Sequence, residues 1–365
     1  MGNFIRRKID TIFVMLGNGC NMRCEYCLQR PLVHSQITQK INPKIYDFIQ
    51  EVQEESGELN LHFFGGEPLI YFNNIREIVE NTENVTYSII TNGRAMTDEM
   101  VEFFNAHQFP VTISWDGRRV LETRGFDSFD KRKPLRRRLM RLNQLGISAV
   151  ISSKAYPKET LEAIQEISDE YYKLHKYQAR INCDLIFDTG IPHKELLDFD
   201  YQRVSNEMKE MTENYINSIK NGKQKRTDYA KNAYISNLMH LLSFYINNRD
   251  GVYDLVWSGC GNGWNVLNMD LDGNLYPCHN TSEAIGTIET PYFKYLKELL
   301  QRDDTKIRQS TCKVCPAVPL CNGGCKLVND EIRNETYCKL RKAMFLPVIQ
   351  AVQDFGKSVI QDGNS

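Results

Sequence analysis

Three cysteines near the start of the chain are spaced for metal chemistry. Cys20, Cys24 and Cys27 stand in CNMRCEYC, directly after a short β-rich run, on a loop that also holds Gly17 and Gly19. Thiolates at that spacing can hold three irons of a cubane and leave the fourth iron without a protein ligand. An open metal position is where a small molecule can bind directly. A zinc site is the competing reading of the same residues. Gly65-Gly66-Glu67-Pro68 follows the second β-rich run, where glycine lets backbone approach a ligand closely. Seven further cysteines crowd the C-terminal third: Cys260, Cys278, Cys312, Cys315, Cys321, Cys325 and Cys338. Four of them fall in the dense run CKVCPAVPLCNGGC, whose C-x2-C pair also suits zinc. Cys183 stands apart on a β-rich run and is expected to be a small buried apolar residue.

The elements that must carry these residues alternate. β-rich runs are predicted at 11–16, 58–64, 85–91, 110–115, 147–152 and 180–187, with helical stretches near 43–55, 71–81, 97–107, 132–145 and 158–176. Six β/α units in a row imply a parallel sheet with right-handed crossovers. Six are too few for an eight-stranded barrel, so an α/β fold of partial (β/α)6, TIM-like type is expected. Function on such a scaffold sits at the C-terminal ends of the strands. Residues 197–257 read as a helical bridge, with a polar break at 221–228. Residues 258–338 become rich in Cys, Gly and Asn, and an amphipathic helix follows at roughly 339–356. The expected domains are therefore 1–196, 197–257, 258–338 and 339–365.

Composition narrows the class. The 365 residues are 41% hydrophobic and 25% charged, which is globular. A net charge of −1 gives no global field for nucleic acid or membrane. No stretch reaches about 18 apolar residues, so no membrane span is expected. The N-terminus lacks a signal-peptide pattern, and the expected compartment is cytoplasmic. In that setting, clustered cysteines favour metal over disulfides. The basic stretch KRKPLRRRLMRL places Leu135, Leu139 and Leu142 at helical spacing. It is a solvated face over a core stripe, or a patch for an acidic peptide or a reductant. It has no interleaved aromatics to suit nucleic acid.

CNMRCEYC, with Tyr26 before its last cysteine, and the later Gly65–Pro68 together resemble the radical S-adenosylmethionine (radical SAM) superfamily. The seven later cysteines resemble the SPASM domain of the members that modify peptides and proteins. This resemblance implies S-adenosylmethionine (SAM) as cofactor, bound at a [4Fe–4S] cluster on Cys20, Cys24 and Cys27. It implies that Tyr26, Gly65, Gly66, Glu67, Pro68, Asn92 and Ser114 line the cofactor pocket, with Arg137 meeting the methionine carboxylate. It also implies two auxiliary [4Fe–4S] clusters. Cys312, Cys315, Cys321 and Cys338 would hold one. Cys260, Cys278 and Cys325 would hold the other, whose fourth iron is open or met by Asn262, Asp270 or His279.

The implied activity is an oxidoreductase that makes a 5′-deoxyadenosyl radical and oxidises or cross-links residues of a ribosomally made peptide or protein. The alternatives are a sulfatase-type maturase forming formylglycine, and an enzyme acting on a small molecule. His279 stands where the sulfatase-maturing relatives have an aspartate, which argues against the first alternative and weakens carry-over of that aspartate's base role; His279 is the candidate base or cluster neighbour. The reductant is expected to be a flavodoxin or ferredoxin. Only about ten residues precede the first strand, so the winged-helix module that grips a leader peptide in relatives is expected to be absent. Leader binding then falls to a separate protein or another surface.

Overall fold

The computed structural model describes residues 9–29, 40–186, 194–247, 265–303, 312, 314–325, 327–328 and 336–363. Cys260 and Asn262 lie outside them. In chain order the main elements are β1 (Thr11–Met15), α1 (Lys44–Ser56), β2 (Asn60–Phe64), α2 (Phe72–Glu80), β3 (Thr86–Thr91), α3 (Asp98–Ala106), β4 (Val111–Ser114), α4 (Pro134–Leu139), β5 (Leu145–Ile151), α5 (Pro157–His175) and β6 (Arg180–Leu185). Then follow α6 (Tyr201–Lys220), α7 (Tyr229–Asn247), β7 (Val266–Asp270), β8 (Asn274–Tyr276), β9 (Gly286–Thr287), α8 (Tyr292–Asp303), α9 (Val318–Cys321) and α10 (Cys338–Gly363). The six expected β/α units are all present.

The chain divides into two compact units. The first comprises residues 1–114, 126–146 and 260–304. Its strands neighbour one another in the order β4-β3-β2-β1-β7-β8-β9. β1 pairs in parallel with both β2 and β7, β2 with β3, and β3 with β4. β8 and β9 then turn antiparallel.

Register sorts the residues between two faces. Ile12 pairs with Leu61, Val14 with Phe63, and Phe63 with Ile89, and all five are fully buried. Ile45, Ile49, Ile75, Ile78, Val101 and Phe104 from α1, α2 and α3 are equally buried. Each such side chain contributes about 1.5–3 kcal/mol on burial. The alternate residues Phe13, His62 and Ser88 share the other face.

The second unit comprises residues 115–125, 147–259 and 305–365, so β5 belongs to it from Ile147 onward. Pro157 at the first position of α5 and a capping box between Tyr156 and Glu159 fix the start of that helix. Lys176, in the left-handed region at φ 68°, ends it. α10 packs along α6 and also touches α7 and α9, while α7 packs on β6.

A buried ion pair holds the loop after β4 to β5. The Asp116 carboxylate accepts the Val150 N–H at 2.9 Å, the Thr123 hydroxyl at 2.7 Å and the Arg124 guanidinium at 2.9 Å. The Arg124 side chain is only 10% exposed. Removing one partner of such a pair leaves the other charge desolvated. Asp116→Ala is expected to cost about 3–5 kcal/mol, read from the urea midpoint of the full chain.

Candidate functional site

The loop after β1 and the loop after β2 are zipped together by backbone. Gly66 N–H donates to Gly17 C=O at 2.9 Å, and Glu67 N–H donates to Gly19 C=O at 2.8 Å. Gly19 N–H in turn donates to the Tyr71 hydroxyl at 2.8 Å. The approach is too close for side chains. A Cβ on Gly65 would stand 2.5 Å from the Gly17 carbonyl oxygen, and one on Gly66 would stand 2.6 Å from that of Asn18. Gly17 and Gly65 also sit at φ +146° and +148°, where L side chains are strained. These glycines bring the Cys20 loop against the end of β2.

Glu67 fastens a third loop. Its carboxylate is buried and accepts the Leu69 N–H at 3.0 Å, the Asn92 N–H at 2.8 Å and the Thr91 hydroxyl. Burial pushes its carboxyl group up; the Thr91 hydroxyl and the Asn92 and Leu69 N–H groups pull it back. The side chain is spent on structure. Pro68 is buried at the head of a short 3-10 turn, Pro68–Tyr71.

From the end of β3, Asn92 reaches the cysteine loop. Its amide nitrogen donates to Asn21 Oδ1 at 2.8 Å and lies 4.0 Å from Cys20 Sγ. Its own Oδ1 accepts the Arg94 N–H, and Arg94 Nη1 donates to Asn21 C=O at 2.9 Å.

Cys20, Cys24 and Cys27 are all partly exposed on one loop. Cys27 N–H donates to Cys24 C=O at 3.2 Å, closing a turn between them, and Met22 N–H donates to Cys20 Sγ at 3.4 Å. Burial raises the Cys20 thiol, and the nearby Glu67 and Cys27 add to this. Three thiols on one loop, one with a backbone donor on its sulfur, beside a glycine cradle that a Cβ would fill, fit an iron–sulfur cluster with an exchangeable position. Tyr26 is buried at this loop. Ser114 ends β4, half-buried. Arg137 is exposed on α4, whereas its neighbour Arg136 is buried and donates to Phe129 C=O. Arg138 and Arg141 pair with Asp98.

On the adjoining sheet face, His279 stacks on Phe13 at 4.8 Å between ring centroids and meets Phe64 edge-on at 4.5 Å. Its backbone oxygen accepts from Gln29 Nε2 at 3.1 Å, tying the cysteine loop to the residue after Cys278. Burial pushes its imidazole down to about 4, so it is neutral near pH 7. His62 also packs on Phe13, and burial together with His279 pushes it down to about 4.

A relay fixes the tautomer of His62. Thr86 donates to Leu59 C=O and accepts from Asn60 Nδ2; Asn60 Oδ1 accepts from Ser88. Ser88 must then accept from His62 Nδ1–H at 2.7 Å. His62 Nε2 is left as a buried lone pair.

Cys278 lies in the first unit, and its sulfur accepts the Asn280 N–H at 3.4 Å. Asp270 is already saturated. It accepts the Asp272 and Asn274 N–H groups, Asn274 Nδ2 and the Tyr276 hydroxyl, all within 3.0 Å. It shapes the β7–β8 turn and has little left for an iron.

In the second unit, Cys321 lies close enough to Cys338, Cys312 and Cys315 to feel their charges. Burial, the larger effect, pushes its thiol up to about 11. Cys315 N–H donates to Cys312 C=O at 3.1 Å. Cys325 N–H donates to the Tyr337 hydroxyl at 2.8 Å, an approach that requires Gly324, at φ +81°. By number alone these four cysteines suit a fully ligated cluster or zinc equally. Cys183 is buried, and burial, then Asp184 and Asp116, raise its thiol.

Sequence reasoning did not single out Tyr71, Asn21, Arg94 or Gln29, which position the loops. Each acts through a backbone or amide contact that leaves no spacing signature.

Residues 14–173 match the family model of the radical SAM superfamily. That stretch of the chain is a radical SAM domain. Over 90% of its length the chain is 23% identical to 93% of a cysteine-type anaerobic sulfatase-maturating enzyme of Clostridium perfringens (strain 13 / Type A). A shorter stretch, 30% of this chain, is 31% identical to the radical SAM cyclopropyl synthase TigE of Paramaledivibacter caminithermalis, of which it spans 27%.

Among solved structures, native anSMEcpe with bound AdoMet and Kp18Cys peptide covers 96% of this chain and 99% of its own, with a TM-score of 0.66 at 18% identity. Streptococcus suis SuiB bound to precursor peptide SuiA covers 88% and 72%, with a TM-score of 0.57 at 15% identity. The fold is thus the parallel-sheet α/β fold of radical SAM enzymes with a Cys-rich C-terminal region. No helix among the described residues is long and apolar enough to cross a membrane.

Tyr71 offers a direct test of the zipped loops. Tyr71→Phe keeps the ring and leaves the Gly19 N–H buried without its acceptor. The expected loss is about 1–3 kcal/mol, measured as a lower denaturant midpoint.

Proposed function

We propose that this radical SAM enzyme oxidises or cross-links residues of a ribosomally made peptide or protein. The feature that carries this reading is a second group of cysteines outside the radical SAM domain, with Cys312 and Cys315 joined by a backbone turn and Cys321 and Cys338 standing at the ends of α9 and α10, which touch. An oxidation needs somewhere for an electron to go, and a cluster held by these cysteines would supply it. The peptide-bound relatives of the same fold support a peptide-like target.

In this reading Cys20, Cys24 and Cys27 hold the [4Fe–4S] cluster, and SAM bound there supplies, on one-electron reduction, a radical able to take hydrogen from an unactivated carbon. The chain's own residues do the positioning. With the Gly66 and Glu67 N–H groups donated to the Cys20 loop, the Gly65 and Gly66 carbonyls would meet the methionine end of the cofactor. Asn92 braces Asn21, and with it the cysteine loop. Ser114 and Tyr26 border the same pocket. Phe13, Phe64 and the neutral His279 make a water-poor surface beside Cys278, and such a surface protects a reactive intermediate from quenching. Cys312, Cys315, Cys321 and Cys338 hold one auxiliary cluster; Cys260, Cys278 and Cys325 hold another.

The likeness along nearly the whole chain to a sulfatase-maturating enzyme favours formylglycine formation as the second reading. The neutral, stacked His279 speaks against it, because that ring is committed to aromatic packing.

The test is anaerobic reconstitution with SAM and dithionite. Wild type is expected to release 5′-deoxyadenosine. Cys24→Ala is expected to lose that activity by orders of magnitude while keeping the iron of the second site. Co-expression with a short peptide encoded beside the gene is expected to give a product lighter by two hydrogens per modification, read by mass spectrometry. A product carrying an aldehyde at a Cys or Ser would establish the second reading instead.

A further inference from the structure

A wall of rings lines the sheet face opposite the packed core. Register sets Ser88, His62 and Phe13 side by side across β3, β2 and β1, and alternation puts Phe64 on the same face, one pleat beyond His62. All four are half-buried, whereas Ile12, Leu61, Phe63 and Ile89 on the other face are fully buried. The ring centres of His62 and Phe13 are 4.6 Å apart, and His279 stacks on the same Phe13 at 4.8 Å. Phe64 extends the wall, 6.0 Å from Phe13, and directly precedes the Gly65-Gly66-Glu67 turn.

The His62 imidazole is fixed in this wall from one side. Asn60 Nδ2 donates to Thr86 Oγ1 at 3.0 Å, Ser88 donates to Asn60 Oδ1 at 2.6 Å, and His62 Nδ1–H donates to Ser88 at 2.7 Å. That chain leaves Nε2 as an acceptor. Nε2 is buried, with no hydrogen-bond partner among the described residues. A lone pair held this way costs stability, and proteins keep such local violations where function uses them. The ring's partner is a neutral hydroxyl, so no carboxylate steadies an imidazolium. His62 is suited to accept a hydrogen bond and not to carry off a proton.

We propose that His62 Nε2 accepts a hydrogen bond from an N–H or O–H of the peptide substrate, and that Ser88 is the positioning residue that holds its tautomer. This rests on the peptide-like target proposed above. The wall runs up to the strand end where function on this scaffold sits, so a substrate brought to the cofactor turn meets it. A substrate that brings the donor pairs a buried lone pair. One without the donor leaves Nε2 unpaired and is discriminated against.

The experiment is steady-state kinetics of the anaerobically reconstituted full chain with SAM and dithionite, using the peptide encoded beside the gene as substrate and mass spectrometry as readout. His62→Asn keeps an amide N–H where Nδ1–H meets Ser88 and has nothing at Nε2. It is expected to raise KM about tenfold, to change kcat less, and to hold the wild-type denaturant midpoint. His62→Gln, whose longer amide can set an oxygen where Nε2 stands, is expected to recover most of that loss. Ser88→Ala frees the ring to sample the tautomer whose Nε2–H cannot accept. With the two tautomers about equally populated, KM rises about twofold. A packing role would instead lower the midpoint of His62→Asn and leave KM alone.

The inference is overturned if His62→Asn keeps the wild-type KM, or if His62→Gln loses as much as His62→Asn. If His62→Asn does not fold, Ser88→Ala decides: an unmoved KM sinks the inference. Failure of the peptide reading shows separately, as wild type that releases 5′-deoxyadenosine and leaves the peptide at its unmodified mass. The role given to His62 then falls with that reading.

Discussion

A single buried carboxylate organises the first unit. Glu67 is 1% exposed, and the groups that meet its oxygens are a hydroxyl and two backbone N–H groups. Taking a carboxylate out of water costs several kcal/mol. Three hydrogen bonds to a charged acceptor, at about 1.5–3 kcal/mol each, are of the size needed to offset that cost. The donors come from two places: Leu69 on its own turn, and Thr91 with Asn92 at the end of β3. Glu67 therefore holds the ends of β2 and β3 in a fixed relation. The glycine contacts then fix the Cys20 loop to the same turn. Three strand ends and three thiols share one rigid frame, which is what a site must have to present a cofactor's reactive atom reproducibly.

That frame also explains why the motif is GGEP and not merely acidic. The carboxylate works only if the two residues before it can pass within contact distance of the carbonyls of Gly17, Asn18 and Gly19. Any side chain at Gly65 or Gly66 would push the cysteine loop away. The glycines and the glutamate are one device with two halves. The first half permits close approach; the second locks it.

Much of this was legible in the sequence, and the exceptions have physical causes. Six strands and the helices between them follow from apolar alternation, and their observed ends differ from the expected ones by a residue or two. The stretch 132–145 shortens to the helix Pro134–Leu139, and β5 starts early, at Leu145 rather than at 147. Gly146 hides that start, because glycine is a poor strand former; here a Cβ would stand 2.7 Å from Thr112 Oγ1. Cysteine spacing exposed the metal chemistry because thiolate ligands must be close in sequence when they share a loop. The partners of Glu67 were hidden because a backbone N–H has no residue type.

Two cysteines of the second unit, Cys183 buried and Cys321 half-buried, sit in contrasting environments. Burial raises the thiols of both Cys183 and Cys321. Around Cys183 the next influences are the carboxylates of Asp184 and Asp116, which raise it further. A thiol held protonated by burial and by anions is inert toward metals and oxidants. Around Cys321 the next influence is the Arg341 guanidinium, which lowers the thiol, followed by three more cysteines, which raise it. What separates the two sites is the sign of the neighbouring charge: carboxylates beside Cys183, a guanidinium beside Cys321.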